Sequence, residues 1–260
     1  MKNMKMFLFF IIGVLLAVGV VNYFGFQEFI ATLSSSNMTL FFVAILIQLL
    51  TLVLLSARSF ILIRERGYIT FWRTFKITMA GLFVSLITPI AKIGGEPLKI
   101  YLLKENVGTP NATAAISIDS IVDIIVSLFV VFFTLLFFTG DLGAQVSSIF
   151  ITFLVLSFLV ILFVMKILLT PSWLRKIVEW ITKKVARFQN VEEKDYAKMF
   201  YSALNLMIKN KRMMYKVVFI TVLTKIFEFV RLFVVFLALD IFLPLNMVLI
   251  IWSVILVLLF

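Results

Sequence analysis

The chain has 260 residues, 63% of them apolar, with 24 Lys and Arg against 13 Asp and Glu for a formal net charge of +11. That composition makes lipid the solvent for most of the chain and predicts an all-α, polytopic helical membrane protein. Cysteine and histidine are both absent, which excludes disulfides, thiolate metal sites and the commonest general base, and with them zinc enzymes, haem proteins and Ser-His-Asp hydrolases.

In chain order, a basic start, MKNMK, leads into an apolar run over residues 7–24. No small-x-small cleavage site follows, so the run is a retained first helix rather than a removed signal peptide. Residues 38–63, 112–138, 146–169, 217–239 and 245–260 are also apolar, and each reaches or approaches the ~20 residues needed to cross hydrocarbon as a helix. About six transmembrane helices are therefore expected. Residues 77–90 differ: they rise only about 21 Å before Lys92 interrupts them.

Lys and Arg should gather in cytoplasmic connections, which tests the crossing count and argues against nucleic acid as the partner of this basic chain. The connection 25–37 holds only Glu28, whereas 64–76 holds Arg64, Arg66, Arg73 and Lys76 against Glu65. Later, 139–145 carries only Asp141, and 166–216 carries twelve basic residues against four acids. If residues 77–103 formed one full span, the most basic connection would fall outside. A re-entrant hairpin, with 77–90 entering, 91–96 turning and 97–104 returning, puts every connection on the side its charge requires, with the N-terminus cytoplasmic in the plasma membrane.

The turn reads TPIAKIGGEPLKIY. Gly94 and Gly95 permit a tight bend and leave amides uncovered, Glu96 lies near the helix N-cap, and Pro97 suits the first helical position. Lys92 and Lys99 beside the positive end of the returning helix make an anion site for a headgroup. The bland alternative is a packing break in which Lys92 pairs with Glu96. Two further segments carry charge at membrane depth: Asp119 and Asp123, one helical turn apart, and Lys225, Glu228 and Arg231 at successive i, i+3 positions. Facing lipid, each would cost several kcal/mol, so both stripes should face inward and pair with each other or with water. Arg58, near the end of its apolar segment, is expected to snorkel. Within the basic connection, residues 171–188 place Trp173, Leu174, Ile177, Val178, Ile181, Val185 and Phe188 on one face and five Lys or Arg on the other, the pattern of a cytoplasmic amphipathic helix lying on an anionic leaflet. The polar stretch after it, to residue 216, is expected to be helical.

Arg58 ahead of a basic loop, the P-x-x-K-x-G-G-E-P-L-K-x-Y-L-L pattern of residues 89–103, and Ile118-Asp119-Ser120-Ile121-Val122-Asp123 together resemble the flippase-like membrane domain of lysylphosphatidylglycerol synthases and their stand-alone relatives. Asp119 and Asp123 match that family's pattern, while Ser120 stands where it usually has Arg. The resemblance covers most of the chain and implies one flippase-like domain over 1–260 with a cytoplasmic insertion at about 171–214. A further Gly-rich break ending in Glu is expected beyond residue 260, so the domain reads as incomplete at its C-terminus.

What the resemblance implies is transbilayer movement of a lipid, without enzymatic synthesis. Lys92, Lys99, Lys225 and Arg231, with the amides of Gly94 and Gly95, would meet phosphate, and Glu96, Asp119, Asp123 and Glu228 would balance those cations or meet a cationic headgroup. No GxxxxGK[ST] pattern occurs, so no nucleotide hydrolysis and no cofactor is expected. The partners expected are anionic or zwitterionic membrane lipids, with a second copy of the chain or a lipid-synthesising protein as further candidates. Two other functions are weighed: a membrane transferase acting on a lipid phosphate, with Asp119 and Asp123 holding a divalent metal, and a non-catalytic assembly subunit.

Overall fold

Asn37 starts a long helix: its side chain accepts hydrogen bonds from the amides of Thr39 and Leu40 and caps Met38–Arg64. The computed structural model describes residues 25–87, 94–138 and 193–258, with isolated positions at 19, 152, 155, 156 and 159. Among the described residues the elements are helices, without strands: α1 (Phe26–Ser35), α2 (Met38–Arg64), α3 (Phe71–Ile87), α4 (Glu96–Val107), α5 (Thr109–Phe138), α6 (Glu193–Lys209), α7 (Lys211–Ala238) and α8 (Leu245–Leu258). The expected helices at 7–24, 146–169 and 171–188 lie outside the described residues.

Helices α2 and α7 form an antiparallel pair in one register along their length. At one end the Asn37 amide donates to the Ala238 carbonyl at 2.7 Å, and at the other the Asn210 side chain donates to Glu65 at 2.7 Å. Small buried residues line the seam, Ala44, Thr51, Ser56 and Ser59 on α2 and Thr221 and Thr224 on α7. They let two backbones approach where lipid offers no hydrophobic drive to association.

The segment 71–107 folds back on itself. The Gly95 amide donates to Ser85 Oγ at 3.0 Å near the tip, and Arg73 meets Glu105 at 3.3 Å near the base. At the base itself the Asn106 side chain donates to the Tyr68 carbonyl at 3.3 Å. The arms thus start and finish at the same end of the bundle, as the charge count requires, with α4 running to Val107, three residues beyond the expected return. Gly95 is irreplaceable by geometry: a Cβ there would strike the Gly81 carbonyl and lie 2.6 Å from Ser85 Oγ. The chain then turns again at Gly108, whose φ of +76° is open to glycine at little cost.

Several boundaries differ from expectation. The connection 25–37 contains α1, because Phe26, Phe29, Ile30 and Leu33 repeat at helical spacing. Helix α5 begins at Thr109, directly after Gly108, and α7 begins at Lys211, capped by Asn210, rather than near 217. The stretch before it is helical, as expected, but α6 is a core element: Phe200, Ala203, Leu204 and Met207, spaced i, i+3, i+4, i+7, are all at most 3% exposed and join the apolar cluster of α2, α4, α5 and α7.

The outside of the bundle is as apolar as its inside. Phe42, Ile45, Leu46, Leu49, Leu50 and Val53 form an exposed stripe along α2, and Val218, Val222, Ile226 and Val230 form another on α7. Of the described helices, α2 and α5 contain spans long and apolar enough to cross a bilayer. Helix α7 is long enough, but Lys225, Glu228 and Arg231 interrupt it, and the apolar part of α8 is short.

Candidate functional site

Asp119 and Asp123 sit one turn apart on α5 and present their carboxylates to the same space, where α2 and α7 meet it. Both are 5% exposed. Arg58 reaches them from α2, its Nε donating to Asp119 Oδ1 at 2.6 Å and its Nη1 to Asp123 Oδ1 at 3.0 Å. The same Nη1 lies 3.3 Å from Thr221 Oγ1, and Ser59 supplies a long 3.4 Å contact to Asp119 Oδ2. From α7, Lys225 Nζ meets Asp123 Oδ1 at 3.3 Å and Glu228 Oε2 at 3.1 Å. Asp123 is thereby shared between two cations, and Lys225 between two carboxylates.

Arg58, Asp119, Asp123 and Lys225 carry two positive and two negative charges, so the buried core of the cluster is neutral. An isolated ion at this depth would be prohibitive; pairing and hydrogen bonding make the group tenable. Ser127, one turn beyond Asp123, is fully buried, and its hydroxyl has no hydrogen-bond partner among the described residues.

Arg58 corrects an expectation. It does not snorkel: it is 4% exposed and is the cation around which both aspartates are arranged. Read on its own helix it lies near an apolar segment's end, where snorkelling is the ordinary outcome. The acids that bury it stand more than sixty positions later. The signal available was stoichiometric, since two intramembrane carboxylates on one face need a cation from another helix.

The remaining predicted residues divide among three places. Glu228 joins the cluster through Lys225 at its half-buried edge. Arg231, further along α7, turns to α2 instead and donates to Gln48. The hairpin tip lies against another face of α5. Gly95, not Glu96, is the N-cap of α4, Pro97 follows Glu96 in the first turn, and the Glu96 carboxylate accepts a hydrogen bond from Ser120. Glu96 and Ser120 each stand twelve residues from Gly108, so both sit about 18 Å along their helices from that turn. Ser120, immediately after Asp119, therefore ties the hairpin tip to the helix bearing the ion cluster. Gly94 precedes the cap in a short 3₁₀ turn. The Lys99 stem packs across Gly81 of α3, where an added Cβ would come within 2.6 Å of Lys99 Cγ. Lys92 lies outside the described residues.

A groove of about 580 Å³ opens beside the cluster between α5, α7 and α8, its wall apolar apart from Lys225 and Thr134. Among the described residues no group of three or more acidic side chains is arranged to hold a metal ion.

Residues 10–260 match the family model described as the lysylphosphatidylglycerol synthase TM region. A UPF0104 membrane protein of Methanocaldococcus jannaschii is 27% identical, the alignment covering 92% of this chain and 74% of the relative. A UPF0104 membrane protein of Archaeoglobus fulgidus is 31% identical over 73% of this chain and 59% of its own length. No solved structure matches.

Proposed function

This chain is a membrane protein that belongs to the lysylphosphatidylglycerol synthase transmembrane-region family, and from that premise we propose that it translocates a polar lipid, passing the headgroup across the bilayer through its intramembrane ion cluster while the acyl chains stay in hydrocarbon.

One observation carries this reading: two cations and two carboxylates are buried and mutually paired inside a bundle whose outer faces are apolar. Each ion already faces a counter-ion, so an arriving headgroup can exchange with a partner rather than be stripped of water against nothing. A phosphate can take the place of Asp123 against Arg58 and Lys225; a cationic headgroup can take the place of Lys225 against Asp123. Arginine suits the first exchange, since its planar fork addresses two oxygens at once. Arg58, Asp123 and Lys225 each have two partners of opposite charge, so each can release one with another still in place. The Glu96–Ser120 contact joins the tip of the hairpin to α5, the helix that bears both aspartates.

The same bundle supports an orientation. Arg64, Arg66, Arg73, Lys104, Lys209, Lys211 and Arg212 belong to the end where Glu65 meets Asn210, while the end where Asn37 meets Ala238 carries Asp240. By the positive-inside rule the first end is cytoplasmic.

A panel of headgroup-labelled lipids in vesicles containing the purified protein tests the proposal. Expected is leaflet exchange well above that of protein-free vesicles, with each lipid recovered chemically unchanged. Exchange no faster than in protein-free vesicles across the panel would overturn it, and metal-dependent conversion of the lipid would replace it with the transferase reading.

A further inference from the structure

The groove beside Lys225 has no part in the ion-pair chemistry. Val126, Phe129 and Phe133 of α5 form one wall, Val222 and Phe229 of α7 a second, and Leu249 and Trp252 of α8 a third. Its volume of about 580 Å³ lies in the range of small-ligand sites. Lys225 is the single charged residue among those lining it.

Size restricts what can enter. An α-helix with its side chains is about 10 Å across, so 580 Å³ would hold only about 7 Å of one, roughly five residues. A single hydrocarbon chain is narrow enough to lie inside. The medium outside has the same chemistry: Val218 and Val222, at the α7 side of the groove, are 40% and 42% exposed and continue into the apolar stripe that ends at Val230. An apolar recess open to bilayer fills with hydrocarbon, because an empty one forfeits the dispersion contacts of its walls. Hydrocarbon alone would gain little over the bilayer it left, so selectivity must come from the one charged side chain in the lining, Lys225, whose present partners Asp123 and Glu228 a phosphate would have to replace.

We propose that this groove is an acyl-chain site whose occupant is a phospholipid with an anionic headgroup, one chain lying between α5, α7 and α8 and the head reaching Lys225. The inference rests on the translocation reading for its purpose: it gives the tail a defined place while the head is at the cluster.

A phospholipid probe with a photoreactive diazirine midway along one chain, reconstituted with the full chain in vesicles, tests it by mass-spectrometric mapping of the adducts. Expected is labelling at Phe129, Phe133 and Trp252 well above that at Phe42, Leu46 and Leu49 on the lipid-facing stripe of α2. An anionic phospholipid probe should label the groove about tenfold more than a diacylglycerol probe that lacks the phosphate, the ratio one charge-assisted hydrogen bond supports. Val222→Trp, placed at the exposed rim, should reduce groove labelling and leave the α2 stripe unchanged; the unchanged stripe also reports a folded bundle. Groove labelling equal to that of the stripe, or undiminished by Val222→Trp, overturns the site. Leaflet exchange measured in the same vesicles separates the two proposals. Exchange without groove labelling removes the acyl-chain site and leaves translocation standing, whereas saturable groove labelling without exchange keeps the site and removes translocation.

Discussion

Arg58→Met removes a side chain that contacts both aspartates, and its effect can be worked from the charges around it. The four buried ions Arg58, Lys225, Asp119 and Asp123 sum to zero. Without Arg58 they sum to −1, and the deficit falls on Asp119, which loses its 2.6 Å partner and retains the 3.4 Å contact with Ser59; Asp123 still has Lys225 at 3.3 Å. Leaving one charge of a buried pair uncompensated costs about 3–5 kcal/mol. For a chain of this length that lowers the melting temperature by roughly 10 °C. The Arg58→Met/Asp119→Leu double variant removes both members, restores neutrality and leaves the Asp123–Lys225 pair intact. It should recover to within about 1 kcal/mol of wild type, because buried pairs replaced together by apolar groups of similar size are often neutral or better. Thermal denaturation of the detergent-solubilised protein, followed by loss of the monodisperse chromatographic peak, measures Arg58→Met, Asp119→Leu and the double variant. A single variant as stable as wild type, or a double variant as unstable as the summed singles, would refute the ion-cluster energetics.

Gly95→Ala should push the hairpin arms apart, since its Cβ would collide with the Gly81 carbonyl; overpacking of this kind costs about 1–3 kcal/mol or more, read as a lowered melting temperature. Arg73→Ala, by contrast, removes an ion pair whose side chains are 49% and 72% exposed, and stability should change by no more than about 0.5 kcal/mol. Glu96→Gln and Lys99→Ala should slow lipid exchange in vesicles while leaving membrane insertion intact; wild-type exchange rates in both would exclude a role for the hairpin tip.

The features legible in the sequence are those that a local pattern or a charge count specifies. The hairpin is expected from the shortness of 77–90 and from the Lys and Arg of the flanking connections; α3 and α4 do pack as antiparallel arms with their base at Tyr68 and Asn106, while residues 88–93 of the turn lie outside the described residues. The Asp119–Asp123 pair announced its own face through i, i+4 spacing. Arg58 departs from its local pattern because its environment is made by α5 and α7, which no window around residue 58 contains. Arg231 continues the i, i+3 series of α7, yet the antiparallel register with α2 brings it to Gln48, again a long-range consequence. Charged neighbours such as Lys194 and Lys198 masked the core-forming face of α6. Ser120 was noticed as a departure from the family pattern; its contact with Glu96 follows from the equal distances of both residues from Gly108, which becomes visible only when α4 and α5 are known to pack antiparallel.

The claim on which the rest depends is that the buried ions are where a headgroup passes. Replacing Arg58, Asp119, Asp123, Lys225 and Glu228 together by Met, Leu, Leu, Met and Gln leaves the cluster without charge and the interior filled, and by the behaviour of other buried ion networks it should leave the bundle folded. Leaflet exchange of a labelled anionic phospholipid, compared between this variant and wild type at matched protein content, is the direct measurement. The account predicts that a folded variant exchanges lipid no faster than protein-free vesicles. A folded variant that exchanges lipid at the wild-type rate would contradict it.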